Sequence, residues 1–375
     1  MHFSLPLSFL FLSSTWISIA HSQATSTPFK PWEYKKQTTD CKAVRRAPVE
    51  EVVDIQLKYV DINPEAPTTI LMVHGWPSLW STWSNQIQEF KDDYHLVVPD
   101  LRGFGESTHP GDTRSSGTMG DMTNDLLCVL QNAKVDSAIC MGHDWGSSVC
   151  YEAARLRPDV FTAVVDVVVP YLSSAGVYVP IEDLVPHLPG LAYQVYFNSQ
   201  PEASIAELDK DIRRTIRATL RTVASPPPDA FLKSDESYLT AWDGVGEIPP
   251  VPFFTSEEED YFVQQYSLQG FKHTIQFYSD DNRRMGWTLA HSQGNYTIPQ
   301  PVLAVYPTED PVADWLLVAK MMDSAKHIPH LTIETLQGAH WVHLEYPQDF
   351  NSIIRRWLER QSQFKSQKQD LRDEL

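Results

Sequence analysis

The stretch "GHDWGSSVC", Gly142–Cys150, puts Asp144 at the centre of a Gly-x-Asp-x-Gly turn. "VDSAIC" before it reads as a short buried strand and "SSVCYEAARLRP" after it as a helix. Such a turn normally presents a serine, which attacks a carbonyl and forms an acyl-enzyme. An aspartate attacking a carbonyl gives an unproductive mixed anhydride, whereas attack on saturated carbon gives an ordinary alkyl ester. Turnover then requires hydrolysis of that ester, and so a base for water and donors for an oxyanion. A helix that begins just after Asp144 directs free N–H groups toward it and favours its ionised form.

The base is expected on a loop after a late strand. "LQGAHWVHLEYP" follows the strand "HLTIETL" and supplies His340. The preceding strand runs into "VLAVYPTEDPVAD", where Asp310 is the candidate to orient the imidazole, with Glu309 and Asp314 as rival acids. The chain order is then nucleophile Asp144, acid Asp310, base His340. "HGWP", residues 74–77, follows the strand "TTILMV" and assigns the oxyanion donors to the backbone N–H groups of Trp76 and Trp145. His74 reads as a structural hydrogen-bonding residue, and the other histidines, His343 included, as surface or packing residues. No spacing of Cys, His, Asp or Glu suggests a metal, and the chemistry needs no cofactor.

These loops require a rigid sheet. "VVDIQLKYVDI", "TTILMVHG", "HLVVPD", "VFTAVVDVVVP", "QPVLAVYP" and "HLTIETL" have strand character, with helical text between most of them. Alternating strands and helices predict an α/β fold, a mostly parallel sheet with helices on both faces. The rhythm stops near Tyr171 and resumes near Asn295, and the intervening text is helical and proline-rich. We therefore expect an irregular N-terminal arm at 25–47, core at 48–170, an inserted, mainly helical cap at 171–294, core again at 295–361, and a tail at 362–375. "PEASIAELDKDIRRTIRATLRTV" reads as one side of a single lid helix.

The chain has 375 residues, 42% of them hydrophobic, and a formal charge of −18. That acidity, without a basic stripe, argues against nucleic acid or an anionic membrane as a partner. Residues 1–24 carry the apolar run "LPLSFLFLSSTWISIA" followed by small residues, the pattern of a cleaved signal peptide, after whose removal no stable membrane span is expected. The final "RDEL" is close to an endoplasmic-reticulum retrieval address, so a lumenal protein is expected, with secretion as the alternative. Asn295-Tyr296-Thr297 is a sequon open to glycosylation there. Cys140 and Cys150 read as small buried apolar residues rather than disulfide partners, while Cys41 and Cys128 are able to pair in an oxidising lumen.

With these residues in hand, the sequence resembles the epoxide hydrolase branch of the α/β-hydrolase superfamily from about residue 48 to 361. "HGWP", "VVPDLRGFGEST", "GHDWGSSV", "TEDPV" and "AHWVHLEYPQDFN" carry the likeness, and all five stand in order. The resemblance implies two cap tyrosines that clamp the epoxide oxygen and protonate it as the ring opens. Matching text gives Tyr193 in "LAYQVYFNSQPE", with Tyr196 as competitor, and Tyr278 in "LQGFKHTIQFYSDDN". A phenol with pKa near 10 keeps its proton at neutral pH and is able to give it to an incipient alkoxide. The chain departs from the family pattern at Ala339, often a glycine, and after Tyr278, where no arginine follows directly. The implied substrate is a small apolar epoxide, with water as co-substrate. Haloalkane dehalogenases share the aspartate elbow, but Trp76 and the tyrosine pair favour epoxides. A non-catalytic, ligand-binding relative is disfavoured because the nucleophile, acid and base positions are all filled.

Overall fold

The apolar runs form the centre of one eight-stranded sheet. A computed structural model describes residues 28–373; the expected leader, 1–24, and the last two residues of "RDEL" lie outside them. Strands β1 (Lys36–Arg45), β2 (Glu51–Ile62) and β3 (Thr69–Val73) are followed by α1 (Ser84–Phe90), β4 (His95–Asp100), α2 (Met119–Asn132), β5 (Ala138–His143), α3 (Trp145–Leu156) and β6 (Phe161–Val167). Helices then dominate: α4 (Ile181–Leu184), α5 (Ala192–Ser199), α6 (Pro201–Asp209), α7 (Ile212–Thr219), α8 (Ser256–Tyr266) and α9 (Asp280–Gln293). The chain returns through β7 (Val302–Pro307), α10 (Trp315–Met321), β8 (Leu331–Leu336), α11 (Val342–Glu345) and α12 (Pro347–Asp373).

The strand order is β1-β2-β4-β3-β5-β6-β7-β8. β1 and β2 are antiparallel, β2 is antiparallel to β4, and every later pairing is parallel. All residues of β3, β4, β5 and β7 are buried, as expected of strands covered on both faces. Functional loops therefore gather at the carboxyl ends of β3, β5, β7 and β8, around the centre of the sheet. No helix among the described residues is long and apolar enough to cross a membrane.

Three expectations are corrected. Residues 36–45 of the supposed irregular arm form β1, in register with β2 from Lys36 opposite Val60 to Arg45 opposite Glu51. This edge strand buries one face through small residues, Thr39, Cys41 and Ala43, among charged neighbours, so its apolar alternation is faint. The supposed single lid helix is two, α6 and α7, separated where Asp211 turns extended and its carboxylate accepts from the Arg214 N–H to start the second. Finally, Cys140 and Cys150 form a disulfide rather than lying as separate apolar residues. β5 and α3 flank one sharp turn and pack directly together, which brings the two Cα atoms to 5.5 Å. Cys41 and Cys128 are joined as well, tying β1 to α2.

Candidate active site

Asp144 sits on the turn between β5 and α3 with φ 55° and ψ −123°, a strained conformation for a residue with a Cβ. The strain is sustained by close packing. A Cβ on Gly146 would lie 2.1 Å from the Val73 carbonyl oxygen, so only glycine lets α3 start this near β3. The turn is pinned as Asp144 N–H donates to Val167 O at 3.1 Å and Ser147 N–H to Asp144 O at 3.0 Å. Ser147 Oγ bonds the Gly142 and Val167 carbonyls at 2.9 and 3.0 Å.

The two carboxylate oxygens have different surroundings. Oδ1 accepts the Trp76 backbone N–H at 2.9 Å, and the Trp145 N–H also bonds the carboxylate. Oδ2 lies 3.6 Å from His340 Nε2. The His340 Nδ1–H donates to Asp310 Oδ2 at 2.7 Å, which leaves Nε2 as the basic nitrogen facing Asp144. Asp310 is itself fixed: Oδ1 accepts from Val312 N–H at 2.8 Å and Oδ2 from Trp315 Nε1 at 2.7 Å. Its rivals are occupied elsewhere. Asp314 caps α10 by accepting from Leu317 N–H, and Glu309 is exposed and bonded to Gln337.

Burial pushes the Asp144 carboxyl upward, and His340 and the two N–H donors pull it partly back. Burial also opposes protonation of His340, but Asp310, with a smaller contribution from Asp144, outweighs it and holds the imidazole above its ordinary value. The neighbouring imidazoles behave otherwise. Burial drives His343 down to about 3 and His143 well below the usual range, so both are neutral. His143 Nε2–H donates to the His340 carbonyl at 3.0 Å and braces that loop from below. His343 packs inside against Thr82, and His74 accepts the Leu101 N–H at Nε2 and donates to Gly75 O, both structural roles.

Over Asp144 lies an aromatic cage at the junction with the helical insertion. Trp76 is its hub, with ring centroids 5.3 Å from Phe197 and Tyr278 and 5.7 Å from Tyr238. Tyr193 on α5 and Tyr278, at the end of the short helix Thr274–Tyr278, have centroids 5.6 Å apart and interacting hydroxyls. Burial, then the Asp144 charge for Tyr193 and the Tyr193 and Asp144 charges for Tyr278, raise both phenols, so each keeps its proton at neutral pH. Tyr196 faces Glu207 instead. A cavity of about 240 Å³ touches Asp144, His340, Trp76, Tyr193, Tyr238 and Leu232; Tyr278 does not line it but packs against Trp76 and Tyr193, which do. Three participants escape the sequence reading: Tyr238, Gln194 and Arg283. Nothing in the text separates them from other cap residues, since their contacts join distant helices. Asn295 lies apart, in an exposed coil after α9. Among the described residues no cluster of side chains is disposed to hold a metal.

Residues 68–347 match the alpha/beta hydrolase fold family, and the chain belongs to it. Within that family, proteins similar to this chain include epoxide hydrolases. Epoxide hydrolase A of Mycobacterium tuberculosis is 27% identical over 83% of this chain and 98% of its own. Bifunctional epoxide hydrolase 2 of Sus scrofa is 26% identical over 81% of this chain, which spans 53% of that longer protein. The crystal structure of epoxide hydrolase A from Mycobacterium thermoresistibile superposes with a TM-score of 0.70 at 26% identity, covering 86% of this chain and 98% of that one.

Proposed function

We propose that this protein is an epoxide hydrolase that converts an apolar epoxide to a vicinal diol through an ester on Asp144. The observation that carries this reading is the division of labour at one carboxylate. Oδ1 is held by the Trp76 backbone N–H, with the Trp145 N–H also acting on the carboxylate, while Oδ2 faces His340 and the residue lines the cavity.

In the first half-reaction Oδ2 attacks a ring carbon and the ring C–O bond breaks toward the oxygen. That oxygen takes a proton from Tyr193, assisted by Tyr278. In the second, neutral His340 removes a proton from water, and the hydroxide adds to the ester carbonyl. The oxygen already seated on the Trp76 N–H becomes the oxyanion, with the Trp145 N–H beside the same carboxylate, so the Trp76 donor does not have to reorganise. Collapse expels the diol with the proton from His340, and Asp144 returns its own proton to the phenolate. Asp310 holds the imidazole tautomer throughout. Dehalogenation by the same nucleophile needs no lid phenol, and the tyrosine pair above Asp144 supports the epoxide.

Asp144→Ala abolishes turnover, and His340→Gln accumulates an alkyl ester on the Asp144 peptide, read by mass spectrometry after acid quench. Absence of an adduct across a panel of reactive epoxides, or halide release without diol formation, overturns the assignment. In single turnover in ¹⁸O-water, label enters the Asp144 carboxylate before the diol.

We also propose an oxidising, lumenal compartment. The two disulfides, with no free cysteine among the described residues, support it. Exposed Asn295 is then glycosylated. Immunolocalisation and loss of the mass shift in Asn295→Gln test both; an unmodified protein in the cytosol removes them.

A further inference from the structure

Arg283, on α9, is a partly buried cation without an ion-pair partner among the described residues. Its neighbour Asp280 is paired with Arg284 at 3.2 Å. The Arg283 guanidinium lies 5.0 Å from the centroid of the Trp145 ring and 6.0 Å from that of Tyr278. Nε donates to Phe277 O at 2.9 Å, and Nη2 donates to Gln194 Oε1 at 2.5 Å. Gln194 Nε2 in turn donates to the Tyr193 hydroxyl oxygen at 3.2 Å.

The direction of this chain follows from chemistry. A guanidinium has donors only, so the face of the Gln194 amide turned to Arg283 must be its oxygen. The NH2 then faces Tyr193 and fills an acceptor position on its oxygen. The Tyr278 hydroxyl, whose hydrogen bond favours the charged Tyr193 oxygen, donates to that oxygen as well, so Tyr193 is left to point its single proton to the cavity it lines. Were the amide reversed, its oxygen would capture that proton.

We propose that Arg283 is a positioning residue for ring opening: it fixes the Gln194 amide so that Tyr193 presents its proton to the cavity, and its unpaired charge stabilises the phenolate left behind. The proposal rests on the reading of Tyr193 as the acid that protonates the ring oxygen. As the new C–O bond to Asp144 forms, the ring C–O bond breaks. Its electron pair takes the Tyr193 proton, and the negative charge moves from the carboxylate to the phenolate. That charge then lies at the end of an Nη2–H···O and Nε2–H···O chain from a cation. Burial lowers the Arg283 pKa against the opposing pull of Tyr178, Tyr278, Tyr193 and Asp280, and the Arg283 charge pulls the Tyr193 pKa down against burial and Asp144. The titratable groups facing the pair are Asp144, Tyr278 and Tyr238 around Tyr193, and Tyr178, Tyr278 and Asp280 around Arg283.

The test is a double-variant cycle in quenched flow with styrene oxide, following ester formation on Asp144 against pH. Arg283→Met is expected to slow ester formation about tenfold, the size of one hydrogen bond to a charged group. It also moves the alkaline limb of that step to higher pH, because the phenol loses the cation that lowers it. Arg283→Lys restores the position of the limb. In a Tyr193→Phe background the Arg283→Met change has no further effect. Equal slowing in both backgrounds, or slowing with an unmoved limb, overturns the proposal. If Tyr193→Phe by itself leaves ester formation unchanged, the ring-acid reading falls and takes this inference with it. Gln194→Leu, which keeps the arginine and breaks the chain, runs the same cycle should Arg283→Met fail to fold, with the same slowing expected in the Tyr193 background alone.

Discussion

A single unprotonated nitrogen governs the second half-reaction, and its basicity is set by two carboxylates of unequal permanence. Asp310 takes no part in bond making, whereas Asp144 loses its charge on becoming an ester. His340 is held above its ordinary value by Asp310 first and Asp144 second. Esterification removes the second contribution, so the imidazole loses its proton more readily at the step that needs a base. In Asp144→Asn, a neutral mimic of the ester, His340 is expected to titrate at lower pH than in the unmodified protein, by ¹⁵N NMR of the ring. An unchanged titration would show that Asp144 exerts no influence on it. Gly75 gives a second test at this scale. A Cβ there would lie 2.4 Å from Asp144 Oδ1, so Gly75→Ala displaces the carboxylate from the Trp76 N–H. Ester formation and hydrolysis should both drop by about 10² or more, the usual cost of a lost oxyanion donor, and the melting temperature should fall too, because the same Cβ would lie 2.6 Å from the His143 carbonyl oxygen.

Elements account for what could be read in advance and what could not. The buried parallel strands were legible because each is a continuous apolar run, and loops at their carboxyl ends carry Trp76, Asp144, Asp310 and His340 in predictable chain order. β1 was not legible, since an edge strand with small inward residues among lysines and an arginine has almost no hydrophobic signature. The Cys140–Cys150 bond was hidden for another reason: a spacing of ten becomes a contact only once the elbow folds β5 back against α3. The Arg283–Gln194 contact spans 89 positions and two helices, beyond any local pattern. The disulfides differ in leverage. Cys41–Cys128 closes a separation of 87 residues and Cys140–Cys150 one of 10. In the chain-entropy account they restrict the unfolded state by about 4–5 and about 3 kcal/mol respectively. Replacing Cys41 and Cys128 by alanine should therefore lower the urea midpoint more than replacing Cys140 and Cys150. The reverse order would mean that bracing of the elbow dominates.

At the scale of the molecule, the site is a seam between sheet and helical insertion, and Trp76 closes it. Its backbone belongs to the oxyanion loop, while its indole Nε1–H donates to Thr274 Oγ1 at 3.1 Å and its ring meets Tyr193, Phe197, Tyr238, Phe271 and Tyr278. Trp76→Ala keeps the N–H donor but removes the hub, and should cost about 3–5 kcal/mol in unfolding free energy. Trp76→Phe retains most of the ring contacts and should lose far less. If the alanine variant unfolds at the same urea concentration as the parent, the two layers are held together elsewhere.

Trp76 and Trp145 grip the reacting carboxylate by their main chains. A negative charge therefore moves from that carboxylate to the Tyr193 phenolate when the ester forms, and returns to it once the ester is hydrolysed and the phenol regains its proton. Ultraviolet-excited emission from the unlabelled protein should consequently change once in each direction per catalytic cycle, giving a stopped-flow optical record of both chemical events from a built-in reporter.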